Sequence, residues 1–239
     1  MPEEVKRLDR LKNAWIPFGD DNLFPQHLSE LSRAASTHRA ILNTKTTFTM
    51  GEGFHSLDEG LDEYIKDVNA DGESLDDVIR KVADDYWTFG NAFLEVVIGK
   101  GYVNLYHHDS TTARVDKDRK KILFHPDWAD VRRSEDKIRS LEIYPKFRKE
   151  KKGVQRAVVH FSDYESTFYY YGLPDYVAAL DHIKIANQIG KYNLTRFKNG
   201  FMPSAIIELG ADMSEEEAQI FIDEAREKLT GENNNSKIL

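Results

Sequence analysis

Apolar residues recur at three- and four-residue steps along much of the chain, which is the spacing of helices with one buried face. The clearest stripe follows Ser74 and consists of Leu75, Val78, Ile79, Val82, Ala83 and Tyr86. Ser74 should cap this helix by accepting from the Asp77 amide, and Gly90 should end it, with Asn91 in the next turn. Three earlier helices are predicted at 23–31, capped by Asp21 or Asn22, at 36–50, capped by Ser36, and around 57–68.

The middle of the chain carries the β-branched and aromatic runs that are typical of strands. Residues 92–98 predict one strand, Gly99 to Gly101 a hairpin turn, and residues 102–106 the returning strand. Further strands are predicted at 112–115, 121–124, 138–143 and 154–161. The links between them are short and polar, so the sheet should be mainly antiparallel.

The last third reads as a long helix followed by a strand–helix–strand unit. The helix is predicted from Pro174, in its first turn, to Asn199, with Gly200 as its C-terminal cap. The unit after it is predicted as a strand at 204–209, a helix from 214 to 229 opened by a capping box, and a strand from 236.

Composition excludes several classes of protein. The chain has 239 residues, no cysteine and a net charge of −8. The length suggests one or two domains, at about 150 residues each. The absence of cysteine excludes disulfides, thiol nucleophiles and Cys-ligated metal sites. No apolar run is long enough to span a membrane, no secretory signal is visible, and the negative charge argues against indiscriminate nucleic-acid binding. Local contact with DNA stays possible because distant charges are screened.

The sequence contains no phosphate-binding loop, zinc-protease motif or nucleophile elbow. We therefore predict that the protein is not an enzyme and that it has no catalytic residue, no metal and no cofactor. The nearest metal motif is Asp67 to Gly72, which matches the first half of an EF-hand loop. Val78 stands where that loop needs a bidentate Glu, which favours a solvated turn over a weak calcium site.

Three other polar clusters have simple interpretations. His107 and His108 are adjacent on a predicted strand, so they should point to opposite faces and not share a metal. Asp84 and Asp85 are expected on the solvated face of their helix. The tyrosines at 169–171 favour loop packing or a subunit contact, and stacking on nucleic-acid bases is the alternative.

The long helix carries a cationic stripe opposite its main apolar stripe. Lys184, Lys191 and Lys198 are seven residues apart, or about 10 Å at 1.5 Å per residue, with Gln188 between them. One interpretation is an ordinary solvated face. The other is a face turned to a phosphate backbone, with contacts that carry no sequence information.

The order of several short segments resembles the portal proteins of tailed bacteriophages. The segments that carry the likeness are 17–25 (PFGDDNLFP) with 36–54, 89–95 (FGNAFLE), 171–174 (YGLP), 196–207 (RFKNGFMPSAII) and 230–239 (TGENNNSKIL). None is specific alone, but their order covers most of the chain. The resemblance implies an α+β fold: a helical N-terminal part and a mainly antiparallel sheet, then a stem helix and the start of a clip. The implied regions are an N-terminal arm at 1–21, a wing at 22–173, a stem helix at 174–200 and a partial clip at 201–239.

The resemblance also implies a function. Portals form rings, typically dodecamers, at one capsid vertex of the virion, and double-stranded DNA is packaged and ejected through the central channel. Their partners are the large terminase subunit, the major capsid protein and the head–tail adaptors, and assembly takes place in the host cytoplasm. Lys184, Gln188, Lys191 and Lys198 would then face the channel or, alternatively, the outside of the ring. Glu215, Glu216 and Glu217 would contact a partner or, alternatively, only complement the helix dipole.

Two other classes of protein stay open at this point. One is a small DNA- or protein-binding adaptor, and the other is an enzyme with an unrecognised carboxylate site. The resemblance further implies that the chain is an N-terminal fragment, which stops before a second stem helix and a crown. We expect such a fragment to leave the apolar face of its long helix poorly covered and not to build a stable ring.

Overall fold

The computed structural model describes residues 15–143, 155–199 and 214–229. The predicted strands at 204–209 and from 236, the Gly200 cap and the start of the N-terminal arm lie outside the described residues. The chain divides into two compact units, Met1–Leu180 and Asp181–Leu239. No helix in the described ranges is both long and apolar enough to cross a membrane.

Among the described residues of the first unit, four helices precede the sheets: α1 (Phe24–Ala34), α2 (Ser36–Met50), α3 (Glu59–Lys66) and α4 (Leu75–Phe89). Helix α4 begins at the predicted capping box, in which Ser74 and Asp77 each accept from the other's backbone amide, and it ends at Gly90. The predicted side-chain caps of the first two helices are wrong. Leu23 and Ala35 occupy those N-cap positions without a side-chain bond, and Ser36 is already helical.

In the part of the chain that the structure describes, six strands form two antiparallel sheets, as the short links predicted. The first sheet has the order β2-β1-β6, with β1 at Asn91–Gly99, β2 at Tyr102–His108 and β6 at Gln155–Ser162. The second has the order β3-β4-β5, with β3 at Ala113–Val115, β4 at Lys121–Phe124 and β5 at Arg139–Glu142. Together with the helices they confirm the predicted α+β class.

Strand β1 is buried on both faces because it lies between α4 and the second sheet. Ala92 and Leu94 pack with Val78 and Val82 of α4. Phe93, which points the other way, belongs to the core between the sheets. The other buried members of that core are Ile16, Phe18, Ala113, Val115, Ile122, Phe124, Val158 and Tyr171.

The described end of the predicted N-terminal arm, residues 15–21, is part of this folded unit. The Ile16 amide donates to the Val115 carbonyl at 2.9 Å, which extends the second sheet. Trp15 packs against Trp128, with ring centroids 5.4 Å apart. In the sequence, large apolar residues flanked by polar ones suggest a tail. In the structure, the side chains of these residues fill space in two hydrophobic cores.

Within the described ranges, two helices follow the sheets: α5 (Leu180–Asn199) and α6 (Glu215–Leu229). Helix α5 begins later than predicted, after a 3₁₀ turn at Val177–Ala179. Pro174 does not open it: Pro174 is fully buried in the first unit and is followed by a turn, in which the Val177 amide donates to the Pro174 carbonyl at 3.0 Å. Helix α6 begins at the predicted capping box, in which the Glu217 carboxylate accepts from the Ser214 amide at 3.0 Å.

Candidate functional site

The predicted cationic stripe lies on one exposed face of α5. Lys184, Gln188, Lys191 and Lys198 are all exposed. At about 100° per residue they fall within about 80° of the helix surface. Lys184 Nζ lies 3.2 Å from the Asp181 carboxylate, but an exposed pair of this kind contributes little and leaves the lysine free to move.

Apolar residues flank this stripe on both sides, and they are exposed as well. Ile185, Ile189 and Tyr192 lie about 80–140° to one side of Lys184, and Leu194 and Phe197 lie about the same angle to the other. The first three are 55%, 55% and 59% exposed, and the last two are 54% and 64% exposed. Helix α5 therefore presents a row of cations between two uncovered apolar faces, an arrangement that indicates contact with other molecules.

The acidic start of α6 is partly committed to capping. The Glu217 carboxylate accepts from both the amide and the hydroxyl of Ser214, and these bonds lower its pKa. Glu216 is exposed, and the side chain of Glu215 lies outside the described residues. The geometry of Glu217 agrees with the local role that the helix N-terminus gives it.

The prediction that Asp84 and Asp85 are solvated is wrong. Asp84 binds Arg39 of α2 through both oxygens at 3.0 Å. One oxygen of Asp85 lies 2.9 Å from His107 Nε2 and accepts from the amide and hydroxyl of Ser110 at 2.9 and 2.8 Å. Burial raises the pKa of Asp85, against the opposing effect of these hydrogen bonds. Helix α2 and the end of β2 cover a helix face that looks polar in sequence.

His107 and His108 point to opposite faces, as predicted. His107 meets Asp85, whereas His108 Nε2 lies 2.8 Å from the carboxylate of Glu95, which is buried in β1. Arg139 of β5 and Arg156 of β6 approach the same carboxylate at 3.1 and 3.6 Å. Desolvation raises the pKa of Glu95, but the hydrogen bond from His108 and the two arginines outweigh it, so that the pKa is lowered overall.

The structure supports the turn interpretation of residues 67–72. The Asn69 side chain accepts from the amides of Asp71 and Glu73 at 3.0 and 3.3 Å, which closes the turn through its own groups. Within the described ranges, no group of three or more His, Asp or Glu side chains is placed to hold a metal ion.

A family model for the phage portal protein matches residues 58–239, which include α4, both sheets and the long helix. The chain belongs to the phage portal protein family. No curated protein matches it.

Solved structures similar to this portal protein come from gene transfer agent (GTA) particles. A chain of the native GTA virion has a TM-score of 0.58 at 16% identity and matches 100% of this chain and 64% of its own length. A chain from the neck of the empty particle, computed with C6 symmetry, gives 0.55 at 17% identity, with 91% and 60% covered. One from the native neck, computed with C12 symmetry, gives 0.51 at 18%, with 90% and 58% covered. These likenesses show a common fold, and the portal chain spans about three fifths of the neighbours it matches.

The carboxylates of Glu95 and Asp85 should affect the stability of the portal protein in opposite ways. Glu95→Gln is expected to lower the free energy of unfolding by about 2 kcal/mol at pH 7, because it leaves the arginines without their charged partner. The loss is no larger because the half-exposed arginines can partly rehydrate. The lowered pKa of Glu95 means that its contribution is complete above about pH 5 and is lost as the pH falls through the lowered value. The loss caused by Glu95→Gln should therefore shrink on acidification.

Asp85→Asn should show the reverse dependence. The raised pKa of Asp85 means that its ionisation costs stability as the pH rises from about 4. The amide keeps an acceptor for the Ser110 backbone, so the variant should gain on the wild type as the pH rises. Urea unfolding between pH 3 and 7, followed by tryptophan fluorescence, checks both variants. Parallel pH profiles for the two variants would contradict the opposite pKa shifts of Glu95 and Asp85.

Sequence reasoning missed the burial of one polar residue of the portal chain. It predicts a turn at Asn91, which instead begins β1 and is 1% exposed. Tyr171 is 7% exposed and packs from a loop into the core, in agreement with the loop-packing interpretation. Both lie in segments that carry the family likeness, FGNAFLE and YGLP. The signal that could have found the burial of Asn91 was the pairing of a polar side chain with an adjacent glycine in each segment.

Proposed function

We propose that this portal protein forms a closed ring at one vertex of a phage-like capsid and serves there as the channel for double-stranded DNA. Genome packaging and ejection both use this channel. The ring docks the terminase during packaging and the head–tail adaptors afterwards. In this proposal residues 22–173 form the wing, α5 is the stem helix that lines the channel, and the clip begins at about residue 201.

The observation that carries the proposal is the pattern on α5. A helix in the wall of a ring has one face toward the lumen and two flanks toward neighbouring subunits. The exposed lysine stripe and its two exposed apolar flanks fit those three surfaces. Burial of the flanks against adjacent copies would remove apolar surface from water and leave the lysines facing the DNA.

The C6 and C12 symmetries of the similar GTA necks support a ring. Lysine suits a channel because its ammonium group is a point charge on a flexible stem and does not fix a phosphate in one geometry. Widely spaced lysines would give the sliding duplex shallow energy minima. A denser arginine surface would hold the duplex in place instead.

The test replaces Lys184, Lys191 and Lys198 together with Glu in the portal of an otherwise assembled particle. Three acidic side chains per subunit would repel the phosphates, so packaging velocity and DNA retention should both fall several-fold. A matched control reverses three exposed lysines of the first unit, Lys66, Lys100 and Lys120, and should leave both quantities close to the wild type. Unchanged velocity and retention in the α5 variant, with intact rings by mass measurement, would place the stripe on the outside.

A further inference from the structure

One buried side chain, that of Asn91, bonds the segment that leads into α5 to the start of β1. The Asn91 amide nitrogen donates to the carbonyls of Gly172 and Phe89 at 2.8 and 3.0 Å. Its oxygen accepts from the Gly172 amide at 2.9 Å and lies 3.0 Å from His160 Nε2. Burial lowers the pKa of His160 to about 4, so the neutral ring can donate to Asn91. Every hydrogen-bonding position of Asn91 is thus used.

The backbone on either side of this contact is packed without room for a side chain. Gly90 has a φ of 67°, and a Cβ there would lie 2.3 Å from the carbonyl carbon of Leu173. A Cβ on Gly172 would lie 2.3 Å from the Gly90 carbonyl oxygen, which also accepts from the Asp163 amide at 2.8 Å. The two chain segments therefore cross in direct backbone contact, although 81 residues separate Asn91 from Gly172.

The residues that follow Gly172 are held by independent contacts. Pro174 is fully buried, and Asp175 forms an ion pair with Lys45 of α2. The Tyr176 hydroxyl donates to the Thr88 carbonyl at the end of α4. The 3₁₀ turn that comes next contains no buried residue.

We propose that Asn91 is a positioning residue that makes residues 172–176 part of the first unit, so that the origin of α5 moves with that unit as one rigid body. This inference goes beyond the channel function, because it holds whichever face of α5 meets DNA. For a portal, it means that a displacement of the wing reaches the start of the helix undiminished.

The absence of cysteine allows a direct test, since introduced cysteines are the only labelling sites. Spin labels at Arg80→Cys on α4 and Ala178→Cys in the 3₁₀ turn report the distance across the attachment, and both positions are exposed. The labelled full chain is diluted with unlabelled chain, so that only distances within one chain are measured by pulsed electron resonance. The parent should give one narrow distance distribution, and Asn91→Ala should widen it about twofold.

The matched control is Asn69→Ala. Asn69 is also buried, and its amide donates to Glu73 and to the Leu105 carbonyl at 2.8 and 2.9 Å, away from residues 172–176. It should lose stability without widening the distribution. Asn91→Asp, which removes both donors at nearly the same volume, decides the matter if the alanine variant does not fold. Unchanged width in the Asn91 variants, or equal widening in Asn69→Ala, would overturn the proposal.

Discussion

Gly90→Ala is expected to lower the free energy of unfolding of the first unit by about 3–5 kcal/mol. Part of this loss comes from the positive φ of 67°, which costs an alanine about 1–2 kcal/mol. The larger part comes from the new Cβ, which would lie 2.3 Å from the carbonyl carbon of Leu173 and 2.5 Å from the nitrogen of Pro174. Backbone atoms cannot rotate away as a side chain can, so α4 and the connector, residues 172–176, must separate.

The measurement is urea unfolding followed by tryptophan fluorescence. All three tryptophans, Trp15, Trp87 and Trp128, lie in the first unit, so the signal reports its unfolding. Gly72→Ala is the matched control: its φ is 73°, and no described atom lies within 4 Å of the added Cβ. It should lose only about 1–2 kcal/mol. Equal losses in the two variants would show that the connector moves away without a cost in free energy. The close approach of Gly90 to the connector would then not contribute to stability.

The helices and strands were predictable where their determinants are local. The stripe from Leu75 to Tyr86 and the Ser74 capping box fixed α4 at its start, and Gly90 fixed its end. The start of α5 was not predictable in this way. Pro174 is favourable in a first helical turn, but the contacts of Pro174 and Tyr176 with the first unit hold the chain in another conformation until Leu180. Tertiary packing here overrides a local preference.

The residues of the candidate site also fall into two groups: those placed by local sequence and those placed by distant contacts. The lysine stripe of α5 depends only on helical spacing, so the sequence is enough to place Lys184, Lys191 and Lys198 on one face. The buried carboxylates depend on partners far away in the chain. Glu95 meets Arg139 44 residues later, and Asp85 meets His107 22 residues later. No periodicity encodes such pairs, so the sequence alone predicts a solvated Asp85.

Tyr171 shows how one such distant contact ties the start of the chain to the connector. Its ring stacks on Phe18, with centroids 4.1 Å apart and planes within 2°. Its hydroxyl donates to the Ile16 carbonyl at 2.6 Å and accepts from the Val115 amide at 3.0 Å. Burial raises the pKa of Tyr171 to about 12, so the neutral hydroxyl makes both bonds throughout the usual pH range. Gly172, the partner of Asn91, is the next residue.

Tyr171→Phe is therefore expected to lower the free energy of unfolding by about 2–4 kcal/mol, although it removes a single oxygen atom. The ring keeps its stacking, but one carbonyl and one amide of the main chain stay buried without their partner, and each costs about 1–3 kcal/mol. Tyr170→Phe is the matched control. The Tyr170 hydroxyl donates to the Lys117 carbonyl at 3.2 Å in a partly buried place, where water can replace it, so the loss should stay below about 1 kcal/mol. The same fluorescence-monitored urea titration compares the two variants. A Tyr171→Phe loss no larger than that of Tyr170→Phe would mean that residues 15–18 rearrange, so that the main-chain carbonyl and amide find other hydrogen-bond partners. A large loss confined to Tyr171→Phe would instead establish that residues 15–18, the second sheet and the connector into α5 are stabilised through one side chain.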